Sequence, residues 1–306
     1  MDLAQKVQFF TLDVISGVGL GTSFGMLRTD SDIEEYAKST EQGLIIGSTA
    51  LALGLSWLTQ VPFLGRLIAP SPKDASGFGK VMATCFRHVD ERASSRSTHE
   101  RSDMLASFIR HGLSDDALRS EALEQIVAGS DTTSGAIRGI LLLLLTNYRV
   151  YDKLKREIDE AERDGRVPSR DGDGQIISLR QARQLPYLQA VIREGIRVLP
   201  PVTNLFSRDV PPDGDEVPCN GEKIFLPGGV CIGQSSIAMH RSRDIFGDDA
   251  HVFRPERWFE ADEEKLAVMT RTNDLMFGAG RWSCLGKPVA QLEVPKLIFE
   301  VHSSWC

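Results

Sequence analysis

Apolar residues recur at intervals of three and four through much of the first two-thirds of the chain. This spacing is clear in residues 31–46, 79–93 and 147–165, and it places the apolar side chains on one face of a helix. Between Val202 and Ile237 the pattern changes to short apolar pairs separated by PPDGD, NGEK and PGG, which predicts short strands and turns. No linker or internal repeat divides the sequence. We therefore expect a mainly α protein with a small β portion, forming a single domain over residues 1–306.

The least polar stretch is GLIIGSTALALGLSWL, residues 43–58. Sixteen residues, interrupted by Gly, Ser and Thr, fall short of the roughly 20 that a membrane-spanning helix needs. We interpret the stretch as a buried helix. A segment lying on a membrane surface is the alternative.

Residues 114–146 form a second unusual stretch. Ser114 is suited to cap a helix that would extend for about 50 Å, and its second half, GILLLLL, is apolar on all sides and predicts burial. The middle, AGSDTTSG, consists mostly of poor helix formers. Two interpretations remain open: a loop between two helices, or an opened helix whose carbonyls and hydroxyls face a cavity.

Charge and cysteine content exclude several classes of protein. The net charge of -7 argues against a nucleic-acid-binding protein, because phosphate contacts require clustered Lys and Arg. The five cysteines are odd in number and form no C-x-x-C pair, so neither a disulfide framework nor a zinc ribbon is indicated. The N-terminus lacks the basic region of a secretory signal. An intracellular protein is expected.

Three motifs carry candidate chemistry. In AVIREGIRVLPP, Glu194 and Arg197 lie three apart and share a helix face, while Arg257 follows a proline in FRPERWFE. The third motif is FGAGRWSCLGK, residues 277–287, in which several glycines surround Cys284. Glycines let a loop turn tightly and approach a ligand closely, and the positive end of a following helix favours a thiolate.

Together with AGSDTT, these motifs occur in the order found in the cytochrome P-450 family of haem-thiolate monooxygenases, which the sequence resembles over essentially its whole length. The stretch HRSRDIFGDDAHVFRPERWF is also similar to fungal members of the pisatin demethylase-like group. The resemblance implies the P-450 fold. It also implies a chain lacking the N-terminal anchor, the first helices and the C-terminal hairpin.

The resemblance further implies roles for individual residues. Cys284 would be the axial ligand of the iron of heme b, and Arg208 and Arg281 would bind its propionates. The rest of the haem-binding loop would include Phe277, Gly280 and Gly286. The family's basic residue two positions before the cysteine is replaced here by Trp282, which puts the role of Arg281 in question.

Two further groups of residues match the family. Asp131 and Thr132 correspond to the acid–alcohol pair that conducts protons towards oxygen. Glu194, Arg197 and Arg257 would form a buried, salt-bridged triad with a structural role.

The function implied by the resemblance is insertion of one oxygen atom of O2 into a small organic substrate, by hydroxylation or oxidative dealkylation, in fungal secondary metabolism. Electrons would come from NADPH through a cytochrome reductase. Members of the family are usually anchored to the endoplasmic reticulum membrane, although this sequence contains no such anchor. The alternative is a truncated haem-binding or inert fragment without turnover.

Overall fold

The computed structural model describes residues 2–94, 101–169, 174–203, 207–219 and 221–305. They fall into two compact units, Met1–Ser134 and Gly135–Cys306. Helices predominate in both units, with four short strands in the second. The mainly α architecture predicted from the sequence is therefore confirmed, while the single domain over residues 1–306 stays a prediction.

The N-terminal unit is built from helices around one apolar core. Its helices are α1 Leu3–Leu20, α2 Met26–Thr29, α3 Tyr36–Ala52, α4 Pro62–Ile68, α5 Gly77–Ala93, α6 Met104–Arg110 and the first part of α7 Asp115–Thr146. A 3-10 turn, Ser56–Gln60, lies between α3 and α4. The core includes Phe9, Leu12, Met26, Tyr36, Val81, Leu105 and Ile126.

The stretch 43–58 is helical as far as Ala52, but its predicted burial is wrong. The buried residues of α3 all lie in its first half. Leu44, Ile45 and Ile46 are exposed, as is Trp57 beyond the helix. None of the helices within the described ranges combines the length and hydropathy needed to cross a membrane.

Helix α7 runs without a break through AGSDTTSG, so its interpretation as a loop is wrong. A Cβ atom added at Gly129 would lie 2.7 Å from the side chain of Ile15 in α1. The glycine therefore permits close packing of two helices, which offsets its poor helix propensity.

The C-terminal unit continues with the end of α7 and eight further helices among the described residues. These are α8 Tyr148–Arg163, α9 Leu179–Arg183, α10 Pro186–Val198, α11 Ser236–His240, α12 Arg243–Phe246, α13 Arg257–Glu260, α14 Glu263–Asp274 and α15 Lys287–Trp305. Its four described strands form two antiparallel pairs. Strand β1 Arg208–Asp209 pairs with β4 Cys231–Ile232, and β2 Asp215–Cys219 pairs with β3 Glu222–Leu226. Arg208 lies opposite Ile232 across the first pair.

The apolar end of α7 is covered on one side only. Ile137, Ile140 and Leu144 are buried at helical spacing, whereas Leu142 and Leu145 on the other side are exposed. The expectation that the whole GILLLLL stretch is buried is therefore wrong. A side chain in a helix is covered only where a neighbouring element packs against its own face.

Candidate active site

The loop before α15 presents Cys284 at the surface of the C-terminal unit. It begins with a 3-10 turn at Leu275–Phe277 and turns again at Gly280–Trp282. The backbone N–H of Cys284 donates to the carbonyl of Phe277 over 2.7 Å, which closes the loop on itself. The Cys284 thiol is exposed three residues before the first residue of α15.

Two glycines shape this loop for different reasons. Gly278 has φ 70°, and a Cβ atom there would lie 3.0 Å from the carbonyl oxygen of Trp282. Gly280 has φ 64° but open space around it, so backbone conformation alone accounts for that glycine. Gly286 lies beside the thiol, since a Cβ atom added to it would be 3.8 Å from Sγ of Cys284.

The indole of Trp282 gathers two arginines next to the cysteine loop. The guanidinium of Arg281 lies 5.1 Å from the centre of the Trp282 ring system, and that of Arg208, at the start of β1, lies 6.0 Å from it. Both distances suit a cation–π interaction. Arg208 and Arg281 are both predicted to bind the haem propionates. They are brought together by Trp282, which replaces the basic residue that the P-450 family has at this position.

Phe277 and Lys287 connect the two ends of the loop. Lys287 Nζ lies 5.1 Å from the centre of the Phe277 ring and 3.1 Å from a carboxylate oxygen of Asp274. The cation is thus tied to the residues that precede the loop. These contacts hold the start of α15 against the end of α14.

Glu194 lies at the centre of a buried ionic cluster between α10 and α13. Its carboxylate accepts two hydrogen bonds from Arg197, at 2.8 and 2.9 Å, and one from Nε of Arg257 at 2.7 Å. All three side chains are almost completely buried. The carboxylate has two further donors, Nε1 of Trp258 and the backbone N–H of Arg254, each at 3.0 Å.

The partners of the two arginines extend beyond the predicted triad. Arg257 also donates to the carboxylate of Asp249 at 3.0 Å. Burial alone would raise the pKa of Asp249, but hydrogen bonds from Arg254 and Arg257 lower it to about 2. The remaining N–H groups of Arg197 and Arg257 donate to backbone carbonyls of residues 240, 246, 249, 250 and 252. These carbonyl partners could not be predicted, because nothing in the spacing of residues 240–252 relates them to Arg197 or Arg257.

Asp131 and Thr132 lie in the N-terminal unit, on α7. Oδ1 of Asp131 accepts a hydrogen bond from the side-chain amide of Gln8 in α1 at 3.3 Å. The Thr132 hydroxyl donates to the carbonyl of Ala128, one turn earlier, over 2.7 Å. Gln8 was not singled out by the sequence analysis, and it comes from an element 123 positions away.

The comparison with known proteins decides the family. The family model for cytochrome P-450 matches residues 1–301. The chain belongs to the cytochrome P-450 family. The chain is 44% identical over 303 residues to cytochrome P-450 monooxygenase ABA1 of Pyricularia oryzae and 40% identical over 305 residues to aba1 of Botryotinia fuckeliana. It is 34% identical over 305 residues to abl1 of Leptosphaeria maculans.

These P-450 relatives are longer than the chain. The matches cover 98% of this chain but 57% of ABA1 and of aba1, and 99% of this chain but 51% of abl1. The chain thus spans just over half the length of the curated relatives that it matches. All three are fungal P-450 monooxygenases by name, in agreement with the fungal membership expected from the sequence.

Membership of the P-450 family implies a haem-thiolate cofactor, and the residues around Cys284 fit one. The sulfur of Cys284 is exposed and is the kind of soft ligand that haem iron accepts. Gly286 leaves the space beside the sulfur free of a side chain, and the guanidinium groups of Arg208 and Arg281 are suited to carboxylates. The donor set therefore matches the iron and the propionates of heme b.

Proposed function

We propose that this protein is a haem-thiolate monooxygenase that inserts one oxygen atom of O2 into a small organic substrate. The reaction consumes two electrons and two protons, and it yields a hydroxylated product and water. A hydroxyl group placed on a carbon next to a heteroatom leads to dealkylation. The names of the fungal relatives support a monooxygenase, and the accessible thiol of Cys284 in its glycine-rich loop is the observation that carries the proposal.

Haem bound at Cys284 supplies the redox chemistry of oxygen activation. Cys284 would hold the haem iron through its sulfur, and Phe277, Gly280 and Gly286 would keep the loop in the form that presents that sulfur. Arg208 and Arg281 bind the propionates. Their shared contact with Trp282 supports this assignment, because the indole restrains both guanidinium groups near the loop.

Asp131 and Thr132 deliver protons for the reduction of dioxygen. A hydroxyl that donates to the carbonyl of Ala128 has its proton engaged within the helix. Thr132 must therefore rotate away from that carbonyl to serve dioxygen. Asp131, with its carboxylate held by Gln8, is the acid that replaces the proton.

Glu194, Arg197 and Arg257 have a structural role and support the elements that precede the cysteine loop. Electrons come from NADPH through a cytochrome reductase. The reaction belongs to fungal secondary metabolism, and the enzyme acts at the endoplasmic reticulum membrane, where the family is usually anchored.

The proposal is tested by the difference spectrum of the reduced, CO-bound protein. The 306-residue chain reconstituted with heme b should give the red-shifted Soret band of a thiolate-ligated haem, and Cys284→Ser should abolish it. Cys231→Ser is the matched control, because Cys231 is also exposed and lies in the same unit. The same band in Cys284→Ser would exclude Cys284 as the ligand, and loss of the band in both variants would leave the assignment of the ligand to Cys284 unsupported.

Turnover is tested separately with a fungal reductase and NADPH. Thr132→Ala should keep the haem spectrum but divert NADPH-derived electrons into hydrogen peroxide, whereas Thr132→Ser, which retains the hydroxyl, should divert fewer. Equal peroxide yields from both variants and the unmodified protein would remove Thr132 from the proton path. A thiolate-ligated haem without NADPH-dependent oxidation in any candidate substrate mixture would favour the alternative, a haem-binding chain without turnover.

A further inference from the structure

Two of the cations beside the cysteine loop, Arg208 and Arg281, lack a carboxylate partner among the described residues. Lys287, at the other end of the loop, is paired with Asp274 at 3.1 Å. Arg208 donates to the backbone carbonyl of Ser207 over 2.7 Å, and a carbonyl carries no full charge. The loop therefore has one cation that is neutralised by a carboxylate and two that are not.

One indole holds both of these guanidinium groups. The guanidinium of Arg281 lies 5.1 Å and that of Arg208 lies 6.0 Å from the centre of the Trp282 ring system, so the two groups cannot be further apart than the sum of these distances. Bringing two like charges together costs free energy. The attraction of each cation to the ring offsets part of that cost, and an anion bound by both cations would offset more. The arrangement is therefore suited to negatively charged groups.

The surface next to the two arginines is apolar. Trp282 and Leu285 are 63% and 70% exposed, and the thiol of Cys284, which lies between them in sequence, is exposed as well. Large exposed apolar side chains beside two cations suit a ligand with an apolar body and an anionic edge. Haem is such a ligand, because its two propionate carboxylates lie side by side on one edge of an apolar macrocycle.

Trp282 occupies the position at which the P-450 family has a basic residue. A basic side chain there would offer one cation to a propionate. The indole has no charge, but it contacts one guanidinium from the neighbouring position in the loop and another from strand β1. Arginine side chains lose rotamer freedom when they bind a carboxylate. Contact with the ring restrains Arg208 and Arg281 beforehand, which lowers the entropic cost of binding.

We infer that Trp282 is a positioning residue for the haem propionates, because its indole holds Arg208 and Arg281 where both can bind the two carboxylates. The inference rests on the proposed function only in taking haem as the ligand. It assigns to an uncharged side chain the part that a basic residue has elsewhere in the family. It also accounts for Arg281, which stands one position before the family's basic residue.

Two forms of the cofactor separate this role from simple contact with the macrocycle. The 306-residue chain is titrated with haemin and with haemin dimethyl ester, whose esterified propionates carry no charge. Trp282→Leu keeps an apolar side chain but removes the aromatic ring. It should weaken the binding of haemin by about tenfold, the loss expected from two exposed cation–π contacts, and should leave the affinity for the ester unchanged.

Trp282→Phe tests whether an aromatic ring rescues binding. It should retain most of the affinity for haemin, because a phenyl ring also attracts guanidinium groups, although less strongly than an indole. Phe259→Leu is the matched control, since Phe259 is an exposed aromatic residue of the same unit that stacks on Tyr187 instead of on an arginine. It should leave both affinities unchanged. Far-ultraviolet circular dichroism checks that all variants keep their helical content.

A double-mutant cycle tests whether the indole acts through the arginines. In a chain that already carries Arg208→Gln and Arg281→Gln, Trp282→Leu should have no further effect on haemin binding, because no cation remains for the ring to hold. The reduction potential of the bound haem provides a second readout. Trp282→Leu should lower it with haemin, since cations near the propionates favour the electron-richer ferrous state, and should leave it unchanged with the ester.

Three results would overturn the inference. Equal losses of affinity for haemin and for the ester in Trp282→Leu would show that the indole contacts the macrocycle and positions no propionate partner. An undiminished effect of Trp282→Leu in the chain without the two arginines would show that it acts independently of them. Unchanged haemin binding in Trp282→Leu would exclude any role. Failure of the proposed function is distinguishable, because the thiolate Soret band of the unmodified chain would then be missing with both forms of haem.

Discussion

The carboxylate of Glu194 accepts five hydrogen bonds, four of them from the side chains of Arg197, Arg257 and Trp258. Replacing Glu194 with Gln keeps the shape of the side chain but removes its charge and turns one acceptor oxygen into a donor NH2 group. Whichever way the amide is oriented, at least one guanidinium N–H then faces another donor. The two buried guanidinium groups also lose the anion between them.

The expected cost is about 3–5 kcal/mol, the range for removing one partner of a buried ion pair. Asp249 does not compensate, because it contacts Arg257 but has no hydrogen bond to Arg197 among those of the described residues. For a unit of this size, ~2–4 °C are lost per kcal/mol. We therefore expect the melting temperature of the C-terminal unit to fall by roughly 6–20 °C.

The assay is thermal unfolding followed by circular dichroism at neutral pH, with Glu216→Gln as the matched control. Glu216 also pairs with a cation, Lys223, at 2.9 Å, but both side chains are largely exposed. An exposed pair contributes little, so this variant should melt within about 2 °C of the unmodified chain. Equal melting temperatures for Glu194→Gln and Glu216→Gln would refute the buried cluster as a source of stability.

Three further substitutions test buried groups of the C-terminal unit. Burial lowers the pKa of His302 to about 4, so the unfolded chain takes up the proton at a higher pH than the folded chain does. The free energy of unfolding should therefore fall by up to about 3 kcal/mol as pH decreases from 6.5 to 4. His302→Phe should flatten that part of a urea-unfolding pH profile, and an unchanged slope would contradict the assignment. Burial raises the pKa of Glu293 to about 8, so the carboxyl group stays protonated in the folded chain while it ionises in the unfolded chain. Stability is therefore lost as pH rises from 4.5 towards 8. Glu293→Gln should melt at a higher temperature than the unmodified chain at pH 7.5, and a lower melting temperature would contradict this. A Cβ atom at Gly195 would lie 2.4 Å from the Ile140 side chain, whereas the nearest neighbour of one at Gly135 would be 3.9 Å away. Gly195→Ala should therefore lower the free energy of urea unfolding by about 1–3 kcal/mol, while Gly135→Ala should be tolerated. Similar losses for both variants would disprove the steric reason.

Helix positions could be predicted where polar and apolar residues alternate at helical spacing. Residues 147–165 have charges on one face and apolar side chains on the other, and α8 occupies Tyr148–Arg163. The same pattern in residues 79–93 corresponds to α5. In such segments local pattern and tertiary packing require the same structure, so the sequence alone is sufficient.

Burial could not be predicted where the sequence is apolar on all sides. The stretches around Ile46 and Leu142 both suggested interior helices, yet these side chains are 68% and 56% exposed. Hydropathy measures the free energy that burial would release. It does not identify which element of the fold, or which external partner, provides the cover.

In the candidate site, contacts between residues close in sequence could be predicted, whereas contacts between residues distant in sequence could not. The loop around Cys284 was recognisable from the spacing of its glycines, which are close in sequence. Glu194 and Arg197 could be paired because they lie three apart on one helix. In contrast, Trp258 and Gln8 reach their carboxylate partners from 64 and 123 positions away, and no periodicity connects such residues.

The glycines of α7 and α10 show why composition alone misled the interpretation of residues 128–135. A glycine within a helix costs roughly 1 kcal/mol relative to alanine, which suggested a loop or an opened helix. At Gly129 an added methyl group would meet Ile15 at 2.7 Å, and at Gly195 it would meet Ile140 at 2.4 Å. Separating the helices to relieve either overlap would forfeit the dispersion contacts of several neighbouring side chains. The free energy lost through the low helix propensity of glycine is therefore smaller than the packing energy that a larger residue would lose at the same position. Glycine is compatible with an unbroken helix wherever another helix crosses it at short distance.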